Sequence, residues 1–428
     1  MNLAEAPSYL FPDISNTLYK KGGEHVLVAS TAEAERISLI ASEWSQQDLV
    51  QLDRQSGFYC PVCRAPVVLK TGKKRRWHFA HQPHHTCLVD NEPETMTHLS
   101  GKEDLFRWCE QAGRSAKLEQ YLRQLRQRPD IYLPGIEPVA IEYQCSMIPE
   151  HVFTARSNGY LNGGIIPIWI IGAHRYHRQR FAIQLSGFTS LAIRQSKVSK
   201  VSHPFTTSYY VCFYDPASKN FCYSAHLSPI SKTRFISQES TVNLLKLKPY
   251  QLLTHSVPFS SMEFKNAWLD MKRKQRLSPP NRLSPEEYAL RVQAYQLRIN
   301  FSYVPGYVGL PHESAIHFQN SPYLWQMWVI LLMGVIEADH CFTPERIIRE
   351  TEARRMERVF SLRCLPLCPV LPASHVIKDY LEQLLCLRVV KKIGNSYRME
   401  GLGKMKQSLT SLFQEDRVIL DRLEAAWM

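Results

Sequence analysis

RPDIYLPGIEPVAIEYQCS, residues 128–146, reads as two short strands around a turn. Ile131, Tyr132 and Leu133 form the first strand, Pro134-Gly135 carries turn chemistry, and Val139 to Cys145 form the second. Side chains alternate faces along a strand, so Glu142 and Gln144 point one way and Ile141, Tyr143 and Cys145 the other. Asp130, at the start of the first strand, can approach Glu142 once the strands pair. Two carboxylates converging at a sheet end suit a hard divalent cation such as Mg²⁺ or Mn²⁺.

Outward from this hairpin, the upstream segment 95–111 reads as a helix capped by Thr95 or Thr97 and stopped by Gly113. Leu99, Phe106 and Cys109 mark its buried face, and His98 and Lys102, four apart, are neighbours on one edge of it. A strand is expected over Ala116 to Leu122. Downstream, a short helix runs from His151 to Asn158, closed by Gly159, and Ile165 to Ile171 is an apolar strand buried on both faces. The expected order is helix, three strands, helix, strand.

Asp130, then eleven residues, then Glu142-x-Gln144 resembles the PD-(D/E)XK nuclease motif, with Gln144 where the motif has lysine. The surrounding chain resembles the CoiA-like competence proteins more closely. FYCPVCRAPV (58–67), HFAH (78–81), HLSGKEDL (98–105), RPDIYL (128–133), IEYQCS (141–146), RSNGY (156–160) and IPIWIIG (166–172) follow the family's order. The resemblance implies a metal-dependent DNA nuclease that acts on single-stranded or branched DNA in a transformable bacterium, alongside recombination proteins. It implies catalytic roles for Asp130, Glu142 and Gln144. Lys102 or Arg156 would then supply the charge that Gln144 lacks, and His98 would touch the metal's outer shell or a phosphate. The alternative is a protein that kept the nuclease fold to bind DNA and lost cleavage.

The 428 residues suggest two or three domains: an N-terminal module over 1–90, a nuclease-like α/β domain over 91–180 and a mainly α region over 181–428. A net charge of +13 favours a polyanionic partner. No basic segment followed by an apolar core opens the sequence, and the most apolar run, Tyr323 to Ile336, is shorter than the ~20 residues of a membrane span. Eleven scattered cysteines, an odd number, suggest reduced thiols in a cytoplasm.

In the N-terminal module, Cys60-x₂-Cys63 and His78-x₂-His81 fit a Cys₂His₂ zinc site. The histidine gap is shorter than usual, so Cys87 or His85 can replace one histidine. Four protein ligands would make the site structural. Between the pairs, Lys73, Lys74, Arg75 and Arg76 would sit at a hairpin tip, suited to a phosphate backbone or simply solvated. In the C-terminal region, Lys272 to Arg282 reads as a linker. A helix over Ser374 to Leu385 leading into a basic hairpin with Lys391 and Lys392 resembles a winged helix (343–400); the other reading is a hairpin that only packs.

Overall fold

The computed structural model describes residues 25–40, 43–72, 77–82, 85, 87, 95–196, 203–278, 282–336, 341–400 and 408–427. Lys73, Lys74, Arg75 and Arg76 lie outside them. The chain divides into two compact units, 1–96 and 97–428.

The first unit contains β1 (His25–Val26), β2 (Val28–Ser30), β3 (Arg36–Ser38), α1 (Gln46–Ser56), β4 (Val67–Lys70) and β5 (His78–His81). Strands β1, β5 and β4 form one antiparallel sheet, with Val67 opposite His81 and Lys70 opposite His78. Helix α1 begins at Gln46 because Ser45 and Asp48 form a capping box: the Asp48 N–H donates to the Ser45 hydroxyl at 3.1 Å, and the Ser45 N–H to the Asp48 carboxylate at 3.2 Å. Val26, Leu49, Phe58 and Phe79 fill the small core beneath.

The second unit is built on one large mixed sheet. Its elements are α2 (Met96–Gln111), β6 (Lys117–Leu118), β7 (Ile131–Leu133), β8 (Val139–Gln144), α3 (Glu150–Asn162), β9 (Ile166–Gly172), β10 (His177–Gln179), β11 (Ala182–Gln184), α4 (Gly187–Leu191), β12 (Arg194–Gln195), β13 (Tyr209–Asp215), β14 (Asn220–Pro229) and β15 (Arg234–Asn243). The strand order is β10-β11-β15-β14-β13-β9-β8-β7-β6, with β12 paired to β13. Strands β8, β9 and β13 run parallel in the middle, and antiparallel strands flank them. Strand β9, IPIWIIG, is almost wholly buried, as its apolar run requires when helices cover both faces.

No structural break falls at residue 180, where one was expected. Strands β10 and β11 on either side are hydrogen-bonded neighbours, and the sheet continues to Asn243. Four further expectations shift. The strand over 116–122 shrinks to Lys117–Leu118, because Glu119 takes a φ of 48° and turns the chain. The strand expected to reach Cys145 ends at Gln144. Helix α3 passes through Gly159 and ends at Asn162. A Cβ at Gly159 would lie 2.2 Å from Gln127 Nε2, so this glycine permits close packing and is not a stop. The segment read as a linker from Lys272 is instead helical as far as Leu277.

That helix, α5 (Ser261–Leu277), opens an α-rich region with α6 (Pro285–Gln296), α7 (Pro322–Ile336), α8 (Pro344–Met356), α9 (Ala373–Cys386), the hairpin β16 (Val390–Ile393) and β17 (Ser396–Met399), and α10 (Leu409–Trp427). Lys272 and Arg276, apparent linker charges, are buried because α10 supplies their counter-ion. The Arg276 guanidinium donates to both oxygens of Asp416 at 2.9 and 2.7 Å, and Lys272 Nζ lies 3.8 Å from the same carboxylate. Among the described residues no helix is long and apolar enough to cross a membrane.

Candidate functional site

The β7–β8 ladder pairs Ile131 with Ile141 and Leu133 with Val139. One further step sets Asp130 across from Glu142, at the end of the ladder. The two carboxylates take their partners from different helices.

Asp130 is held from α2. Its Oδ1 lies 3.2 Å from Lys102 Nζ and its Oδ2 3.5 Å from His98 Nε2, and the Tyr143 N–H donates to Oδ2 at 2.8 Å. The spacing of His98 and Lys102, one helical turn, brings both to this edge. Helix α2 can come so close because of Gly101: a Cβ there would meet the Tyr143 ring at 2.1 Å. Lys102 is 1% exposed and also donates to Glu119 at 2.8 Å. Nothing in the sequence pattern marks Glu119 as a site residue. It sits in a segment read as an ordinary strand, and only the backbone turn at that residue aims it inward. Burial alone would raise the Asp130 pKa, but Lys102, His98 and the Tyr143 N–H outweigh it and hold the group well below the usual carboxylate range. Glu119 is likewise lowered, with Lys102 and Arg128 outweighing its burial.

Glu142 is held from α3. Arg156 donates to its Oε1 at 2.6 Å and the Tyr160 hydroxyl to the same oxygen at 2.5 Å. Arg156 and Tyr160 are again one turn apart on a helix face. Glu142 is 1% exposed, and burial raises its pKa despite Arg156, with repulsion from Asp130 adding to the rise. One carboxylate is thus held ionised and the other is pushed toward its neutral form. Gln144 follows on the same face of β8 and donates to the Ser146 carbonyl at 3.1 Å.

In the first unit, Cys60, Cys63, His81 and Cys87 bring four donor atoms within 4.8 Å of one another. Cys60 Sγ and Cys87 Sγ are 3.9 Å apart, and Cys63 Sγ is 3.4 Å from His81 Nε2. Tetrahedral Zn²⁺ with Zn–S of about 2.3 Å needs donor separations of roughly 3.6–3.8 Å, so this set could bind a structural metal such as zinc. His78, expected as a ligand, is not in the cluster. Residues three apart on a strand lie on opposite faces, so β5 can turn only one of His78 and His81 toward the thiols. Cys87 takes the vacant role. His85 also reaches Cys63, at 3.3 Å, and stacks on His81 with ring centroids 5.0 Å apart. Among the described residues this is the only group of three or more such donors drawn so tightly; His98, Asp130 and Glu142 do not form one.

Lys391 and Lys392 lie on β16 with their side chains exposed.

Comparison with known proteins fits this arrangement. Residues 41–90 match the family model described as competence protein CoiA, N-terminal domain; residues 94–257 match its nuclease-like domain; residues 264–409 match its C-terminal domain. The competence protein CoiA of Bacillus subtilis (strain 168) is 31% identical over 279 residues, 64% of this chain and 72% of that protein. The chain belongs to the CoiA family. Its nuclease-like domain is the stretch that carries the large mixed sheet and both carboxylates. No solved structure matches the chain.

Proposed function

We propose that this CoiA-family protein is a metal-dependent nuclease with a PD-(D/E)XK core, acting on single-stranded or branched DNA taken up during competence. The observation that carries the reading is the approach of Asp130 and Glu142 at the end of the β7–β8 ladder, each bound to a cation from a flanking helix. The element order α2, β6, β7, β8, α3, β9 supports the same core.

The two carboxylates have the oxygen chemistry that Mg²⁺ or Mn²⁺ requires. Such an ion would polarise the phosphate and lower the pKa of a bound water. Lys102 keeps Asp130 ionised and ready to act as a ligand. Tyr160 fixes the orientation of Glu142. Arg156 is the side chain suited to move from Glu142 to a phosphate, giving the positive charge that Gln144 lacks. Gln144 can orient the attacking water through its amide. His98 would hold a phosphate or the ion's outer shell. DNA contacts would come from Arg156, from Lys73, Lys74, Arg75 and Arg76, and from Lys391 and Lys392. Zinc held by Cys60, Cys63, His81 and Cys87 would be structural, since four protein ligands leave no open position. A cytoplasmic setting beside recombination proteins suits this role.

A second reading, a DNA-binding or scaffold protein without cleavage, is favoured by the charge balance. Lys102 and Arg156 already compensate the carboxylates, and the motif lysine is replaced by Gln144. Cleavage assays on single-stranded, duplex and branched DNA with Mg²⁺ or Mn²⁺ separate the two. The nuclease reading requires that Asp130→Ala and Glu142→Ala abolish cleavage while DNA binding survives, and that Gln144→Lys raises the rate. If neither wild type nor Gln144→Lys cleaves any substrate, the scaffold reading stands. Wild-type rates in both alanine variants mean that the site is elsewhere.

A further inference from the structure

Between α9 and α10 the C-terminal region carries a hairpin whose charges are arranged at a cost. In β16 and β17, Lys391 lies directly across from Arg398. Like charges at directly opposed positions destabilise a strand pair. A single carboxylate, Glu400, serves both, 4.0 Å from Lys391 and 3.9 Å from Arg398. Lys391 and Arg398 are 62% and 50% exposed, so solvent screens what Glu400 does. Lys392 is exposed as well, on the other face of β16. Arg388, exposed at the junction with α9, adds a fourth positive charge to the same short segment. On the Lys391 face, the tip residue Ile393 is 42% exposed.

The surroundings fix this hairpin in place. Phe342 makes a single antiparallel bridge to it: its N–H donates to the Tyr397 carbonyl at 2.9 Å and its carbonyl accepts from the Tyr397 N–H at 2.7 Å. The order α7, α8, α9, β16, β17 follows that of a winged helix, with the Phe342 bridge in place of its first strand. In the usual use of that motif the last helix enters the major groove. Here α9 is engaged with its own chain. Asp379 accepts from the Ser314 hydroxyl, and Gln383 Nε2 donates to the Pro311 carbonyl at 2.6 Å. Tyr380 donates to the Tyr307 carbonyl at 2.9 Å. The exposed positions left on α9 are His375, Lys378, Glu382 and Cys386, and Lys378 and Glu382, four apart, cancel.

We propose that the wing, and not helix α9, is the nucleic-acid contact of this region: Lys391, Lys392 and Arg398, with Arg388 beside them, form a sequence-independent clamp for the phosphodiester backbone. A clamp made of cations on a strand pair reads charge and carries no base information. Ile393 gives the tip an apolar residue able to enter a minor groove. A polyanion across Lys391 and Arg398 would relieve the repulsion that the hairpin otherwise bears. The proposal rests on the DNA-binding part of the reading above and is independent of cleavage.

The test uses the full-length protein and fluorescence anisotropy with random-sequence single-stranded and duplex oligonucleotides, titrated with salt and without added Mg²⁺ or Mn²⁺. Lys391→Ala/Lys392→Ala/Arg398→Ala should lower the salt slope by about 2 to 3 units on duplex and by about 2 on single strands, and weaken binding by about tenfold or more at low salt. His375→Ala/Lys378→Ala should leave both quantities unchanged. Arg398→Glu, whose exposed side chain can change without loss of fold, should weaken binding further than Arg398→Ala. An unchanged slope in the triple variant overturns the proposal, as does an equal loss from the α9 pair. Loss of binding to anionic phosphatidylserine vesicles, with DNA binding intact, would assign the wing to a membrane surface and also overturn it. Cleavage is scored separately. A failed wing test beside an Asp130→Ala variant that no longer cuts leaves the nuclease reading intact; a sensitive wing in a protein that never cuts leaves the clamp intact.

Discussion

The cysteine–histidine cluster and the carboxylate pair both gather donor atoms that metals use, and they differ in what the donors face. Cys60, Cys63, His81 and Cys87 face one another, with Cys60 Sγ 3.9 Å from Cys87 Sγ and Cys63 Sγ 3.4 Å from His81 Nε2. Asp130 and Glu142 each face a cation, Lys102 at 3.2 Å and Arg156 at 2.6 Å. Donors turned inward leave a hole the size of an ion. Donors turned to cations are already neutralised, so an ion must compete with a lysine or an arginine for them. The first arrangement suits permanent occupancy; under the proposed nuclease reading, the second would suit an ion that arrives with a phosphate and leaves with the product.

The largest expected effect tests the first half of that contrast. Cys60→Ser with Cys63→Ser should abolish binding of about one zinc per chain and unfold the 25–87 region, because structural zinc contributes on the order of 10 kcal/mol to such modules. Elemental analysis and hydrogen exchange measure the two effects. Cys87→Ser should lose the metal as well, whereas His78→Ala should keep it; the reverse result would overturn the ligand set.

The next concerns the buried charges of the second half. Lys102→Met leaves Glu119 and Asp130 without their common cation and should cost about 3–5 kcal/mol in urea unfolding. A near-neutral result would mean that the lysine compensates nothing. Gly101→Ala should cost about 1–3 kcal/mol, because the added methyl group drives α2 away from Tyr143.

The smallest effect is in the acid limb. Asp130 and Glu119 have folded pKa values below their ordinary ones, so their stabilisation is present at neutral pH and lost as pH falls. Glu142 has a raised pKa, binds its proton more readily when folded, and so works in the opposite sense as pH falls. Acid should therefore destabilise Glu142→Gln more steeply than wild type between pH 7 and pH 4, and Asp130→Asn less steeply as pH falls below about 5. Thermal melts across that range that show the reverse order would contradict the assigned directions.

Much of this was legible in the sequence, and the misses share a cause. The strand at Ile131–Leu133, the helix from Met96 to Gln111 and the apolar β9 follow from local periodicity and turn chemistry. Asp130, Glu142, His98, Lys102 and Arg156 were marked out by a motif and by helical spacing. What could not be read depended on partners distant in the chain. Glu119 matters because a positive φ turns it toward Lys102. Cys87, one of the two substitutes the sequence left open, replaces His78 because a strand cannot aim both of its histidines one way. The linker beginning at Lys272 is a buried helix because Asp416 lies 140 residues beyond Arg276. The sheet passes residue 180 because β11 pairs with β15, a partner more than fifty residues on.

Asp416 also orders events in time. During synthesis α5 leaves the ribosome long before α10 exists. Until Asp416 arrives, Lys272 and Arg276 have no carboxylate to enter the core with, and burying them would strand two charges. The α-rich region must therefore wait for its own distal helix, and nascent chains arrested before residue 409 should keep α5 open to protease.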